Sequence, residues 1–259
     1  MRRVEHIMGF PISLLVEDGE HEAESGGADT GGNVGREGPM TAESVEPAFA
    51  WLREVDARFS PFREDSEVSR LDRGELAPDE VSRDLAEVLA LCEEYRVATG
   101  GAFDVRLPGR GLDPCAMVKG WAVQRAAELL TGLGARRLCL NAGGDVAATG
   151  GPWRVGVRHP ERADRLCAVL SVTDGAVATS ARYERGDHIL DGRTGRPATG
   201  LLSLTVVAPS LTEADATATA AFAMGKEGIE WAASRKGCEV FAVDAEQRVF
   251  RTPGLPVAA

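Results

Sequence analysis

The chain has 259 residues, enough for one large domain or two small ones around a substantial core. Its 44% apolar and 27% charged residues are ordinary globular composition, and a net charge of −11 makes nucleic-acid phosphates and anionic membranes poor partners. Five cysteines, Cys92, Cys115, Cys139, Cys167 and Cys238, show no CxxC spacing, which argues against a zinc site or a disulfide framework and fits a reducing compartment.

The opening residues MRRVEHIMGFPISLLVEDGE carry two Arg but no continuous apolar core and no small-residue cleavage site. They read as a first strand over residues 6–17 rather than as a signal peptide, so the expected location is the cytoplasm. No apolar run reaches the roughly 18 residues of a membrane span. The Gly-rich, polar stretch that follows cannot bury enough surface to offset its ordering entropy and reads as a flexible insertion at about 20–42. Helical spacing of Val45, Phe49, Leu52 and Val55 predicts a helix over 44–58, and Leu85, Val88, Leu89, Cys92 and Tyr95 predict another over 82–98, stopped by Gly100 and Gly101. A third helix is expected to begin near Lys119 and end by Gly132 or Gly134. A fourth follows Thr212 as N-cap and runs to Met224, and a short fifth covers 228–235. Strands are expected at 137–142, 153–158, 167–172, 176–180, 188–191, 202–208 and 239–244. Helices come mostly early and strands often arrive consecutively, a pattern of α+β rather than of regular βαβ winding.

Four segments look unlike ordinary core or surface. LDPCAMVKGWAVQRA leads through Asp113 and Pro114 into a helix start with Lys119, one of only three Lys in the chain. Such a start suits an anion, and it equally suits a solvated Lys. NAGGDVAATGG allows close backbone approach to a ligand with Asp145 turned inward, or forms a plain Gly-Gly-Asp hairpin turn; without GxGxxG and a following helix it disfavours a Rossmann site. TSARYERGDHILDGRTGRPATG crowds Arg182, Arg185, Arg193 and Arg196 around His188, as phosphate or carboxylate recognition would need. TEADATATAAFAMG places Asp215 and Thr219 four apart on one helix face. Two hard oxygens so placed suit Mg²⁺, which leaves its remaining positions to phosphate and water. An Asp favourable to the helix dipole, with Thr219 merely packed, accounts for the same spacing.

Together these segments resemble the FAD:protein FMN transferases, the ApbE family. The resemblance is carried in family order by HIMGFPIS, VDARFSPFREDSEVSRLDRGE, TGGAFDV, LDPCAMVKGWAVQRAAELL, LCLNAGGDVAATG, VATSARYERGDHILDGRTGRPATG and ADATATAAFAMG. It implies a single domain over residues 1–259 with an ApbE-type, T-fold-like α+β fold of mixed sheets flanked by helices. It also implies an enzyme that uses FAD and Mg²⁺ to transfer FMN onto a Thr or Ser hydroxyl of an acceptor flavoprotein, releasing AMP. By position, Met8, Phe62, Ala102, Phe103, Asp104, Asp113, Lys119 and Leu190 would contact FAD. The Ala116 carbonyl, Asp215 and Thr219 would hold Mg²⁺. His188 would stand beside the pyrophosphate as general base, with Asp215 the alternative base. The alternatives in function are an FAD-binding protein without transferase activity and an Mg²⁺-dependent FAD pyrophosphatase. The chain departs from the family pattern at several points. Phe62 stands where Tyr is common, PCAMVKG replaces LGGIAKG, and DGRTG replaces DPxTG, which reads as Gly192 loosening a turn that Pro would fix.

Overall fold

Residues 1–17, 40–107, 109–186 and 188–259 are described by the computed structural model; the expected insertion at about 20–42 lies almost wholly outside them. The first expected strand is two. β1 (Arg2–Ile7) and β2 (Phe10–Val16) pair antiparallel, with Ile7 opposite Phe10, around the two-residue turn Met8-Gly9. Both turn residues have positive φ, 58° and 81°, as the tight hairpin geometry that matches strand twist requires. Gly takes that conformation freely, whereas Met8 holds it against its own Cβ.

Then come α1 (Glu46–Phe59), the short α2 (Glu67–Asp72) that periodicity did not reveal, and α3 (Arg83–Ala98). Ser66 and Ser82 cap α2 and α3 by accepting the amide hydrogens of Ser69 and Leu85. A small hairpin, β3 (Arg106–Leu107) and β4 (Gly111–Leu112), leads into α4 (Cys115–Gly132). This helix begins one turn earlier than the sequence suggested, with Pro114 as N-cap, so Lys119 lies in its second turn rather than its first. Proline suits that boundary because its fixed φ is already helical and its missing N–H is not needed there.

The remaining strands and helices are β5 (Leu138–Ala142), β6 (Asp145–Thr149), β7 (Trp153–Arg158), β8 (Leu166–Val172), β9 (Gly175–Ala181), α5 (Arg182–Arg185), β10 (Leu190–Asp191), β11 (Arg196–Pro197), β12 (Leu201–Ala208), α6 (Leu211–Met224), α7 (Glu227–Ser234), β13 (Glu239–Asp244) and β14 (Val249–Arg251). The strand expected over 188–191 shrinks to its last two residues. The N-cap of α6 is Ser210, which accepts the Glu213 amide, rather than Thr212.

Eight strands form one antiparallel sheet in the order β1-β2-β5-β6-β9-β12-β13-β14. Alternation along its central strands sends side chains to two different cores. Ala176 and Ala178 of β9 and Val240 and Ala242 of β13 face the helices; Val177, Phe241 and Val243 face the β7–β8 hairpin with Trp153, Val157 and Leu170. The helix side is built around α6, an Ala-rich helix buried on nearly every face. Small side chains let it lie close to β9 and β12 on one side and α4 on the other.

The α4–α6 crossing is closest at Gly120. A Cβ there would stand 2.6 Å from the Leu211 carbonyl oxygen and 2.7 Å from Asp215 Cβ. Gly120 therefore sets how near α4 approaches α6, and with it the reach of its neighbour Lys119. Gly120→Ala, which on helix propensity alone would stabilise, is expected to destabilise the protein by about 1–3 kcal/mol in urea unfolding because the helices must move apart.

Candidate functional site

The chemistry-bearing residues meet where one end of the large sheet faces the α4–α6 crossing. Ala142 pairs with Asp145 across a second two-residue turn, Gly143-Gly144, with φ of 62° and 106°. Asn141 Oδ1 accepts the Gly144 amide at 3.1 Å and stiffens that turn. The turn lies beside Met8-Gly9: the Gly143 amide donates to the Pro11 carbonyl at 3.2 Å, and a Cβ on Gly143 would meet the Phe10 ring at 3.2 Å. NAGGD is thus a hairpin turn, and it also aims Asp145 inward.

Asp145 is 3% exposed. Its Oδ1 accepts the Thr179 amide at 2.9 Å, continuing the β6–β9 ladder one step past the backbone pairing. Its Oδ2 lies 2.5 Å from Lys119 Nζ. The same ammonium stands 3.1 Å from Asp215 Oδ1. Asp215 is likewise 3% exposed, and its Oδ2 is buried with no hydrogen-bond partner. One turn along α6, Thr219 Oγ1 is 3.2 Å from Ser180 Oγ. The structure thus joins Lys119, Asp215 and Thr219, which the sequence singled out for this chemistry, to Asp145, whose role the sequence left open, and to Ser180, which the sequence did not single out.

Burial dominates the electrostatics. It pushes the Asp215 carboxyl up from 3.8 to about 7, against the pull of the Lys119 charge, and the neighbouring Asp145 adds to the rise. The two carboxylates pull the Lys119 ammonium upward more than its burial lowers it, so it stays charged. Two carboxylates facing one cation leave an uncompensated negative charge whenever both are ionised.

The other expected site residues are spread around this cluster. Ala116 lies in the first turn of α4, one turn before Gly120. Asp113 is exposed, and its Oδ1 accepts the Cys115 amide at 3.0 Å, a local turn that leads into the helix. Ala102 and Phe103 are buried; the Phe103 ring sits 5.7 Å from that of Tyr95. Asp104 accepts the Arg106 amide at 2.8 Å. Leu190 is half-buried in β10, which packs on α6. Phe62, between α1 and α2, leaves 86% of its surface exposed. His188 is exposed beside the Gly186 carbonyl, 3.1 Å from Nδ1, and among the described residues no hydrogen bond joins it to the cluster.

Two sequence readings are corrected. Gly192 does not loosen its turn. Its amide donates to the Ala102 carbonyl at 2.9 Å, and a Cβ there would stand 2.4 Å from the Gly101 carbonyl oxygen. A Pro at 192 could supply neither that donor nor that clearance. Arg193, expected to recognise phosphate or carboxylate on a ligand, binds carboxylates of this chain instead: Asp191 through Nε at 2.9 Å and Glu227 at 2.6 Å. It pins the turn to the start of α7.

The raised Asp215 carboxyl carries a sign. Between about pH 4 and 7 the folded chain holds a proton there that the unfolded chain has lost, so this group makes stability fall as pH rises through that window. In EDTA, the melting temperature of Asp215→Asn is expected to fall less than that of the wild type between pH 5 and pH 7.5; parallel curves would contradict the assignment.

The chain as a whole has relatives. The ApbE family model matches residues 8–108 and 106–242. The chain is 30% identical over 161 residues to the FAD:protein FMN transferase of Escherichia coli K12, covering 56% of this chain and 46% of that protein. It is 25% identical over 292 residues to the FAD:protein FMN transferase of Haemophilus influenzae, covering 85% and 83%. It spans about half the length of several curated relatives it matches. The ApbE protein of Thermotoga maritima superposes with a TM-score of 0.79 at 21% identity, over 98% of this chain and 97% of that one. The flavin transferase ApbE of Vibrio cholerae does so with a TM-score of 0.79 at 20% identity, over the same shares. With the family model matched along most of its length, this chain belongs to the ApbE family.

Proposed function

We propose that residues 1–259 form one flavin-transferase domain that moves the FMN half of FAD onto a Thr or Ser hydroxyl of an acceptor flavoprotein, with release of AMP. The observation that carries this reading is the buried Lys119–Asp145–Asp215 cluster with its orphaned Asp215 oxygen, in a chain of the ApbE family. The acceptor oxygen attacks the FMN-side phosphorus, the pyrophosphate bond breaks, and AMP carries away the bridging oxygen. Such a transfer needs mainly positioning and neutralisation of charge.

The residues fit a magnesium ion. Asp215 offers a buried carboxylate oxygen with no partner, and Thr219 offers a hydroxyl one turn away. With the Ala116 carbonyl they form a sparse set of hard oxygens that leaves room for phosphate and water. The ion, when bound, supplies positive charge to the pyrophosphate oxygens. Lys119 supplies a fixed ammonium beside it.

Around FAD, the reading gives Phe62 the stacking surface, since its ring is free of the core. Ala102 and Phe103 contribute backbone edges, because their side chains are buried, and Asp104, Asp113, Met8 and Leu190 complete the contacts. His188 takes the acceptor proton: it stands on an exposed loop, whereas a carboxylate holding both Lys119 and a divalent ion has little proton affinity left at neutral pH. The five cysteines form no disulfide with one another, which accords with the reducing, cytoplasmic compartment this reading assigns.

The test is AMP release from FAD with Mg²⁺, with and without a co-expressed acceptor. AMP that depends on the acceptor, with flavin covalently on it, supports transfer. AMP without acceptor would mean a pyrophosphatase, and bound flavin without AMP a carrier. Asp215→Ala is expected to lower turnover by more than about 100-fold with an unchanged circular dichroism spectrum.

A further inference from the structure

Asp145 has no task in the reading above, yet it is the tightest partner of the one Lys in the site. Lys119 Nζ lies 2.5 Å from Asp145 and 3.1 Å from Asp215. Asp145 is itself anchored, since its other oxygen holds the Thr179 amide at 2.9 Å and its turn is stiffened by Asn141. It therefore cannot follow Lys119 toward Asp215, whereas the Lys side chain, 27% exposed, has rotamers to choose from. A lone ammonium beside Asp215 would neutralise it. An ammonium drawn toward a second, fixed carboxylate leaves Asp215 with charge to offer, and Asp215 Oδ2 is the atom left without a partner.

We propose that Asp145 is a positioning residue that sets the divalent-cation affinity of Asp215 by sharing Lys119 with it, so that the ammonium does not neutralise Asp215 alone. This rests on the reading of Asp215 as a metal ligand. Lys119 and Asp145 then act with opposite sign on the same site: the ammonium opposes the cation, and Asp145 offsets the ammonium. The arrangement would let one site offer both a permanent positive charge for the pyrophosphate and a carboxylate oxygen for a metal ion. Two cations so close repel unless a second carboxylate lies between them electrostatically.

The test is Mn²⁺ binding to the FAD-free protein, read from the signal of free Mn²⁺ in electron paramagnetic resonance. Asp145→Asn keeps an oxygen for the Thr179 amide, so its fold is expected to hold, as checked by circular dichroism. Its Mn²⁺ affinity is expected to fall by about 10- to 100-fold, the usual range for an outer partner of a metal ligand. Lys119→Met is expected to bind Mn²⁺ more tightly than wild type, and the double variant to lie between the two single ones. General damage to the site would weaken binding in both single variants, and that result would overturn the proposal. So would wild-type affinity in Asp145→Asn; if Asp215→Ala nonetheless lost binding, the metal assignment would stand and only the role of Asp145 would fall. Absence of Mn²⁺ binding by the wild type would overturn both. In turnover assays of Asp145→Asn, raised Mg²⁺ is expected to restore kcat, with the KM for FAD little changed.

Discussion

One ammonium shared by two buried carboxylates is the constraint around which this site is arranged. Lys119 comes from α4, Asp145 from the first residue of β6 and Asp215 from α6, so three elements must be placed to within a few tenths of an ångström for the bridge to exist. Charges taken out of water are costly unless paired, and removing one partner of such a group is worse than never having built it. The surrounding fold bears this out. Gly120 brings the two helices together, the Gly143-Gly144 turn brings the strand end inward, and the Thr179 amide occupies the remaining Asp145 oxygen. Asp215 is the exception, keeping one oxygen unpaired in the interior.

That unpaired oxygen stands out against the packing around it. The core on either side is well made: α6 is enclosed by small side chains against the sheet, and a second core fills the opposite face beneath the β7–β8 hairpin. A protein able to satisfy its backbone through eight paired strands could have spared one carboxylate oxygen a partner only at some loss of stability. The strained Met8 beside the same end of the sheet is a second local cost in the same region.

The loops around this centre are held by their own contacts. The Gly192 amide docks on the Ala102 carbonyl and Arg193 joins Asp191 to Glu227, so the turn after β10 is tied both to the loop after α3 and to the start of α7. The departure from the family's DPxTG is therefore an alternative way to fix the turn, by a donated hydrogen bond and close approach instead of a proline ring. The surface-exposed Phe62 and His188 take no part in these contacts.

Much of this was readable in the sequence. Apolar periodicity located α1, α3 and most of the later strands, though not β6, β11 or β14; consecutive strands pointed to an α+β fold, and the order of short motifs pointed to the ApbE family. Asp215 and Thr219 could be paired because four residues make one helical turn, a strictly local rule. What was not readable was non-local or too short to be periodic. The six-residue α2 offers barely a turn and a half of pattern, and 6–17 splits into two strands because Met8 accepts a positive φ that its residue type disfavours. The pairing of Lys119 with Asp145 could not be read at all. Hydrophobic periodicity says which face of an element is buried, but not which buried polar groups meet across elements. That is decided by how closely α4 and α6 cross and by where the β5–β6 turn ends, distances that exist only once the chain has folded.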